Sequence, residues 1–438
     1  MYDFGIFTAL TAQLGGCFFP PEGGDTVQLL ATLGVFASGM LARPLGGVLF
    51  GYIGDTHGRK PALLLSVLLM AFSTLAIGLL PCYSLWGYAA PALLFLFRLG
   101  EGLSVGGELI GGVLMMIESA PSPDRRALYG SSVMATAGGG IVLGFLVVAA
   151  LRAALPGASE EQWTQWLWRV PFLLGIVAAA FALWVRKYLA ESPEFTERVA
   201  AVKSLKPENP LRLAFRDYKT TMLMTFGVLV YSSFGTWVGF WMPLYSLTLV
   251  PPELRLRSEA AVLVSLAVTP FFTLWWGHVA DYVGSLRLML ASAAIMALMS
   301  PVFFALAASG SFPLACLGFV AYSFVITAYV GPLMVWMAEA FVVEARFSAV
   351  AFSFNMALAI VGGASQLIMT SVVVHFPERY IAYPALLVSI TAIISFVCCI
   401  LSHFFLRSTQ NFASGFCNIE RQQERQDQIK EREQVEQN

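Results

Sequence analysis

The chain has 438 residues, of which 58% are hydrophobic and only 12% charged, against roughly 25% charged residues in soluble domains. A water-soluble fold cannot hide that much apolar surface, so the chain is read as an integral membrane protein. The formal net charge of −1 leaves no basic surplus to neutralise phosphates and excludes nucleic acid as a partner.

A membrane-crossing helix takes about 20 mostly apolar residues. Twelve such stretches follow one another, near 4–19, 27–50, 61–80, 88–117, 129–151, 167–186, 219–247, 259–277, 288–307, 311–335, 349–374 and 380–406. They are continuous apolar runs, not the short alternating segments of a barrel, and an open sheet would leave its edges unpaired in lipid. The predicted fold is therefore all-α. No basic leader precedes the first span, so no cleavable signal peptide is expected. With both termini in the cytoplasm, nineteen Lys and Arg fall on that side and five on the other, the asymmetry that orients such chains. The polar interval 187–218 divides the chain into a six-span bundle over 1–186 and a second over 219–407. The segment 408–438 reads as a solvated polar tail without a sustained heptad.

Charges inside the bilayer cost at least ~2.5–3.5 kcal/mol each and so need a reason. In the second span Arg43 precedes Pro44; it can bind a substrate carboxylate or serve helix pairing near the cytoplasmic end. The fourth span carries Arg98, Glu101 and Glu108. At 100° per residue the two acids share a face, and Arg98 is one turn from Glu101. Gly100, Gly102, Gly106, Gly107, Gly111 and Gly112 on the same span permit close packing or unwinding. In the seventh span Tyr231, Phe234, Trp237, Phe240 and Trp241 can form an aromatic cage for a cation or a packing face. Asn355 and Gln366 are polar candidates in the eleventh. The four histidines form no cluster. The cysteines at 17, 82, 316, 398, 399 and 417 show no metal or dithiol spacing and are read as small apolar packing residues.

The segment Gly51-Tyr52-Ile53-Gly54-Asp55-Thr56-His57-Gly58-Arg59-Lys60 follows the second span, and Gly277-His278-Val279-Ala280-Asp281-Tyr282-Val283-Gly284 follows the eighth. Both read GxxxDxxG at equivalent places, which marks the halves as duplicated units. The first copy resembles the signature loop of the major facilitator superfamily. In the second, Ser285-Leu286 stands in place of the Arg-Lys pair. Leu41-Ala42-Arg43-Pro44-Leu45-Gly46-Gly47, Gly106-Gly107-Glu108, Glu191-Ser192-Pro193-Glu194-Phe195 and Ala338-Glu339-Ala340-Phe341 to Arg346 are similar to the metabolite:proton symporter family, which includes proline/betaine transporters and carriers of carboxylates. Members carry an acidic-x-Tyr-Asp-Phe motif partway through helix 1. Here Tyr2-Asp3-Phe4 opens the sequence, so helix 1 reads as truncated.

The resemblance implies twelve helices in two pseudo-symmetric bundles, the major facilitator fold, and proton-coupled uptake of a small polar metabolite such as proline/betaine or a carboxylate. An exporter, a uniporter and a solute-sensing receptor are the alternatives, and no enzyme chemistry is indicated. Coupling is expected at Asp3, Glu101 and Glu108. Glu101 stands where the family has Gln and is either a proton acceptor or the partner of Arg98. Glu108 is expected to face the central cavity. Gly51, Asp55, Gly58, Arg59, Lys60 and Asp281 are expected to form the gate, with Asp55 contacting the start of helix 11 and Arg59 pairing with Glu118. Glu339 and Arg346 are expected to form the mirrored gate pair. No cofactor is expected beyond the proton gradient. The setting is the bacterial inner membrane, the partners are lipid, substrate and protons, and a monomer is expected.

Overall fold

The computed structural model describes residues 1–188, 191, 196, 210–248, 255–342, 345–376, 379 and 381–405. The tail over 408–438, most of the interval 187–218, the side chain of Gln366 and Cys417 lie outside the described residues. The first half consists of α1 (Tyr2–Ala9), α2 (Thr11–Phe18), α3 (Gly24–Thr56), α4 (Arg59–Leu79), α5 (Ala89–Glu118), α6 (Arg126–Ala154) and α7 (Arg169–Lys187). After α8 (Pro210–Asp217) come α9 (Lys219–Thr248), α10 (Arg255–Val283), α11 (Ser285–Ala307), α12 (Phe312–Glu339), α13 (Arg346–Ala357), α14 (Gly363–His375) and α15 (Ala382–Phe405). A π-helical turn, Leu358–Gly362, joins α13 to α14. The described residues contain no strand.

Ten of these helices, α13 with the turn that follows it counted as one, are long and apolar enough to cross a membrane. The charged α5 and the short α1–α2 pair pack among them, in keeping with a twelve-helix arrangement. The expectation of one continuous helix over 4–19 is corrected: it breaks at Leu10, whose backbone leaves the helical region. The Thr11 hydroxyl donates to the carbonyls of Phe7 and Thr8, and Thr8 to that of Phe4. Such side-chain bonds compete with the helical ladder.

The distribution of apolar and charged groups is inverted relative to a soluble protein. Leu45, Phe72, Phe181, Trp184 and Leu298 are exposed, while Arg43, Arg59, Arg98 and Glu101 are buried. Lipid solvates the former, and the latter find partners inside the bundle. The halves meet where α3 packs on α13 and α6 on α10. In the interval expected to be a loop, α8 packs Phe215 against Phe352 of α13, ring centroids 5.0 Å apart.

The reading of all six cysteines as apolar packing residues is also corrected. Cys17, near the end of α2, is disulfide-bonded to Cys82 in the connection between α4 and α5. Their sequence separation of 65 left no local signal. The bond lies at the end of the bundle opposite the Gly51–Lys60 loop.

Candidate functional site

The two GxxxDxxG segments build one end of the molecule. Gly58 and Gly284 adopt φ of +104° and +96°, which a residue without a Cβ reaches at little cost, and each reverses the chain into the next helix. Asp55, just before this turn, is 2% exposed. Its carboxylate accepts from the backbone N–H groups of Phe347 (3.2 Å) and Ser348 (2.9 Å), the Ser348 hydroxyl (2.7 Å) and Arg59 (2.9 Å). It thus caps the N-terminus of α13 in the other half, where free N–H groups and the helix dipole favour an anion. Asp281 does the same for α6, accepting from Ala127 (2.8 Å) and Leu128 (3.1 Å). Gly51 makes the approach possible: a Cβ there would lie 2.8 Å from the Cα of Ser348.

Arg59 is fully buried and holds Glu118 through two bonds of 2.9 and 3.2 Å, the pairing expected. Arg346 turns to the same Glu118 at 3.3 Å. Among the described residues the hydrogen-bonded carboxylate of Arg346 is thus Glu118, already placed by Arg59, while Glu339 at the end of α12 stays within electrostatic reach of Arg346 and Arg126. Lys60 donates to the Lys187 carbonyl at 3.0 Å. Glu191, not singled out by the sequence as a site residue, accepts from the N–H groups of Arg59 (2.9 Å) and Lys60 (3.2 Å) and caps α4. Its place beyond the sixth span hid its relation to the second-span loop.

Deeper in the molecule a cavity opens between the halves, lined by Phe4, Arg43, Leu109, Trp237, Tyr322 and Phe354 among others. Among the described residues of its lining Arg43 is the one charged side chain, and the Met1 amino group, 3.0 Å from Asp3, borders the same cavity. Glycines in α5 allow the backbone of α3 to come close: a Cβ at Gly106 would lie 2.2 Å from the Arg43 carbonyl oxygen. Arg43 is 1% exposed. Its Nε donates to Asn355 Oδ1 at 3.2 Å and its Nη1 reaches the Met40 sulfur at 3.6 Å. Its Nη2 has no hydrogen-bond acceptor among the described residues. Asn355 bridges the halves, donating to the carbonyls of Gly106 (2.7 Å) and Ala351 (2.8 Å), and so holds Arg43 from the α13 side.

Beside the cavity, Arg98 forms a buried ion pair with Glu101. Glu101 also accepts from the Thr74 hydroxyl at 2.8 Å, and Asp3 lies 4.0 Å from Arg98. Three rings flank the guanidinium, Phe7 at 4.0 Å, Phe4 at 5.1 Å and Phe36 at 5.4 Å. These rings were invisible as site residues in the sequence, since a phenylalanine in a span reads as packing.

Two cavity expectations are corrected. Glu108 does not line the cavity between the halves. Its bond to Arg186 of α7, 2.8 Å, draws it into an adjoining pocket lined by first-half residues, which shares Met1, Leu109 and Ala137 with the cavity. Tyr231 is fully buried against Tyr329 in the core of the second half, ring centroids 4.9 Å apart. Of the helical aromatics, Trp237 does line the cavity and meets Phe36 edge-on at 6.0 Å. Tyr322, from α12, is the aromatic wall that the sequence did not single out.

A family model described as Major Facilitator Superfamily matches residues 5–365. The chain belongs to the Major Facilitator Superfamily. This superfamily member is a multi-pass membrane transporter. It is 30% identical over 424 residues to a Staphylococcus aureus (strain COL) protein named "Putative proline/betaine transporter", covering 97% of this chain and 89% of that protein. It is 34% identical over 378 residues to the "Alpha-ketoglutarate permease" of Escherichia coli (strain K12), covering 84% and 83%. Among solved structures, the proton:xylose symporter bound to 6-bromo-6-deoxy-D-glucose superposes with a TM-score of 0.71 at 16% identity, over 92% of each chain. That likeness is one of fold.

Proposed function

We propose that this superfamily member is a proton-coupled symporter that takes up a small carboxylate-bearing metabolite across the bacterial cytoplasmic membrane by alternating access. The observation that carries the reading is Arg43: a buried guanidinium facing the cavity between the halves, with Nη2 lacking an acceptor among the described residues. A cation so placed is matched by a carboxylate, which the planar guanidinium binds with charge-assisted bonds. Relatives named for proline/betaine and for alpha-ketoglutarate transport favour the same chemistry. The Met1 amino group also borders the cavity but is held by Asp3 at 3.0 Å, so among the described lining residues a second carboxylate would find no uncommitted cation, at a cost of several kcal/mol. The cavity therefore favours one carboxylate over two. Trp237, Tyr322 and Phe4 offer ring faces to an apolar or cationic remainder.

The proton site in this reading is the Asp3–Arg98–Glu101 cluster next to the cavity. Glu101 accepts on both oxygens, from the Thr74 hydroxyl and from Arg98, and a proton arriving there would leave Arg98 with the more distant Asp3, at 4.0 Å, as its counter-ion. The gate network belongs to the state closed on the Asp55 side, since its bonds join the two halves and must part when the halves rock. The Cys17–Cys82 bond supports placing the opposite end outside the cytoplasm, because disulfides persist in oxidising compartments.

The test is uptake into proteoliposomes of labelled betaine, proline, 2-oxoglutarate and citrate under an inward proton gradient. The reading expects accumulation of a monocarboxylate in preference to the di- and tricarboxylates, abolished by a protonophore. Uptake indifferent to the gradient would make it a uniporter, uptake driven only by an outward gradient an exporter, and binding without flux a receptor.

A further inference from the structure

We infer that Phe4 is the positioning residue through which substrate at Arg43 and protonation near Arg98 sense each other, an inference that rests on the symport reading above. Two buried guanidinium groups approach this one ring, Arg43 at 6.0 Å and Arg98 at 5.1 Å. The ring is 3% exposed and forms part of the cavity wall. Phe36 braces it edge-on at 5.6 Å, and itself lies 5.4 Å from Arg98 and 6.0 Å from Trp237 of the other half. The hydrogen bonds of the two arginines go elsewhere, Arg43 to Asn355 and Met40 and Arg98 to Glu101. The ring is thus a direct contact that they share, beside the charge of Asp3.

A guanidinium gains more from a ring face when no carboxylate neutralises it. In the substrate-free, deprotonated state Arg98 is matched by Glu101 and Arg43 is not matched, so Arg43 makes the larger demand on Phe4. A carboxylate arriving at Arg43 removes that demand. A proton arriving on Glu101 creates one at Arg98. Both events favour the ring moving toward Arg98, so each makes the other more favourable, which is the reciprocity that defines coupling between two sites. Other charged groups face the same region: Asp3, adjacent in the chain, lies 4.0 Å from Arg98 and acts on Arg43 through space, and the Met1 amino group is 3.0 Å from Asp3. They are common to wild type and Phe4 variants, so a difference between these isolates the ring.

The experiment measures half-saturation for labelled betaine in proteoliposomes at neutral and mildly acidic pH, together with the ratio of gradient-driven accumulation to gradient-free exchange. Wild type is expected to gain about fivefold or more in apparent affinity on acidification. Phe4→Leu is expected to lose most of that gain and to drop the accumulation-to-exchange ratio by about tenfold or more, while Phe4→Tyr, which keeps the ring, retains both. If Phe4→Leu fails to fold, Phe4→Met, close in volume, serves in its place. Wild-type pH dependence and ratio in the Leu or Met variant would overturn the inference, as would equal losses in these variants and Phe4→Tyr. A wild-type protein with no response to the proton gradient would instead overturn the symport reading on which the inference stands, and does so before any variant is compared.

Discussion

Replacing Asp55 with Asn tests the proposed gate with least change of shape. Of the four bonds to its carboxylate among the described residues, three come from the other half, from the Phe347 and Ser348 N–H groups and the Ser348 hydroxyl, and the fourth from Arg59. Asn keeps one acceptor oxygen, puts an NH2 donor in place of the other and removes the charge. Hydrogen bonds to a charged group contribute ~1.5–3 kcal/mol each and neutral ones ~0.5–1.5 kcal/mol. Arg59 retains Glu118, so its loss is partial. The cross-half contacts weaken by ~2–4 kcal/mol in sum, which at ~1.4 kcal/mol per tenfold shifts the open-to-closed ratio by roughly thirtyfold to several hundredfold. The assay is maleimide labelling from the Asp55 side of a cysteine placed at Leu109 in the cavity wall, in a background without reactive thiols. Labelling of the Asn variant within about twofold of its parent would refute the argument that this carboxylate holds the halves together.

Asp281→Asn should act in the same direction but more weakly, by ~1–2 kcal/mol, because the side chain is only half-buried and holds two backbone N–H groups; the same labelling assay measures it. Cys17→Ser with Cys82→Ser should lower stability by ~2–4 kcal/mol, read as a fall in the melting temperature of detergent-purified protein, and mass spectrometry of the wild type should find both thiols unalkylated until a reductant is added. Glu108→Gln should keep accumulation within about twofold of wild type, since its partner is Arg186 on the partly exposed side of the first half and such ion pairs contribute ~1 kcal/mol or less. Loss of accumulation without loss of exchange in that variant would return Glu108 to the coupling path.

The features legible in the sequence are those written by local spacing. The spans follow from apolar run length, the Arg98–Glu101 pair from a separation of one helical turn, and the duplicated caps at Asp55 and Asp281 from a repeated motif in which Gly58 and Gly284 are required by backbone conformation. The features that escaped depend on which distant helices touch. Arg43 and Asn355 are partners across the two halves, Glu108 is captured by Arg186 and Cys17 by Cys82, and no periodicity encodes these pairings. Glu101 and Glu108 share a helical face, as expected, yet lie in different surroundings because α5 is bordered by different neighbours along its length: Thr74 of α4 at one level and Arg186 of α7 at the other. Tyr231 and Trp237 part for a similar reason, as one is enclosed by Tyr329 and the other meets the cavity.

The central claim is that substrate and proton enter together. It is tested most directly by loading proteoliposomes with a pH-sensitive dye and adding betaine or another monocarboxylate outside, with no imposed gradient. The account predicts acidification of the lumen that depends on the substrate, vanishes in Arg43→Gln for want of the carboxylate's partner, and is lost in Glu101→Gln. Substrate entry with no movement of protons, or acidification undiminished by Glu101→Gln, would contradict it.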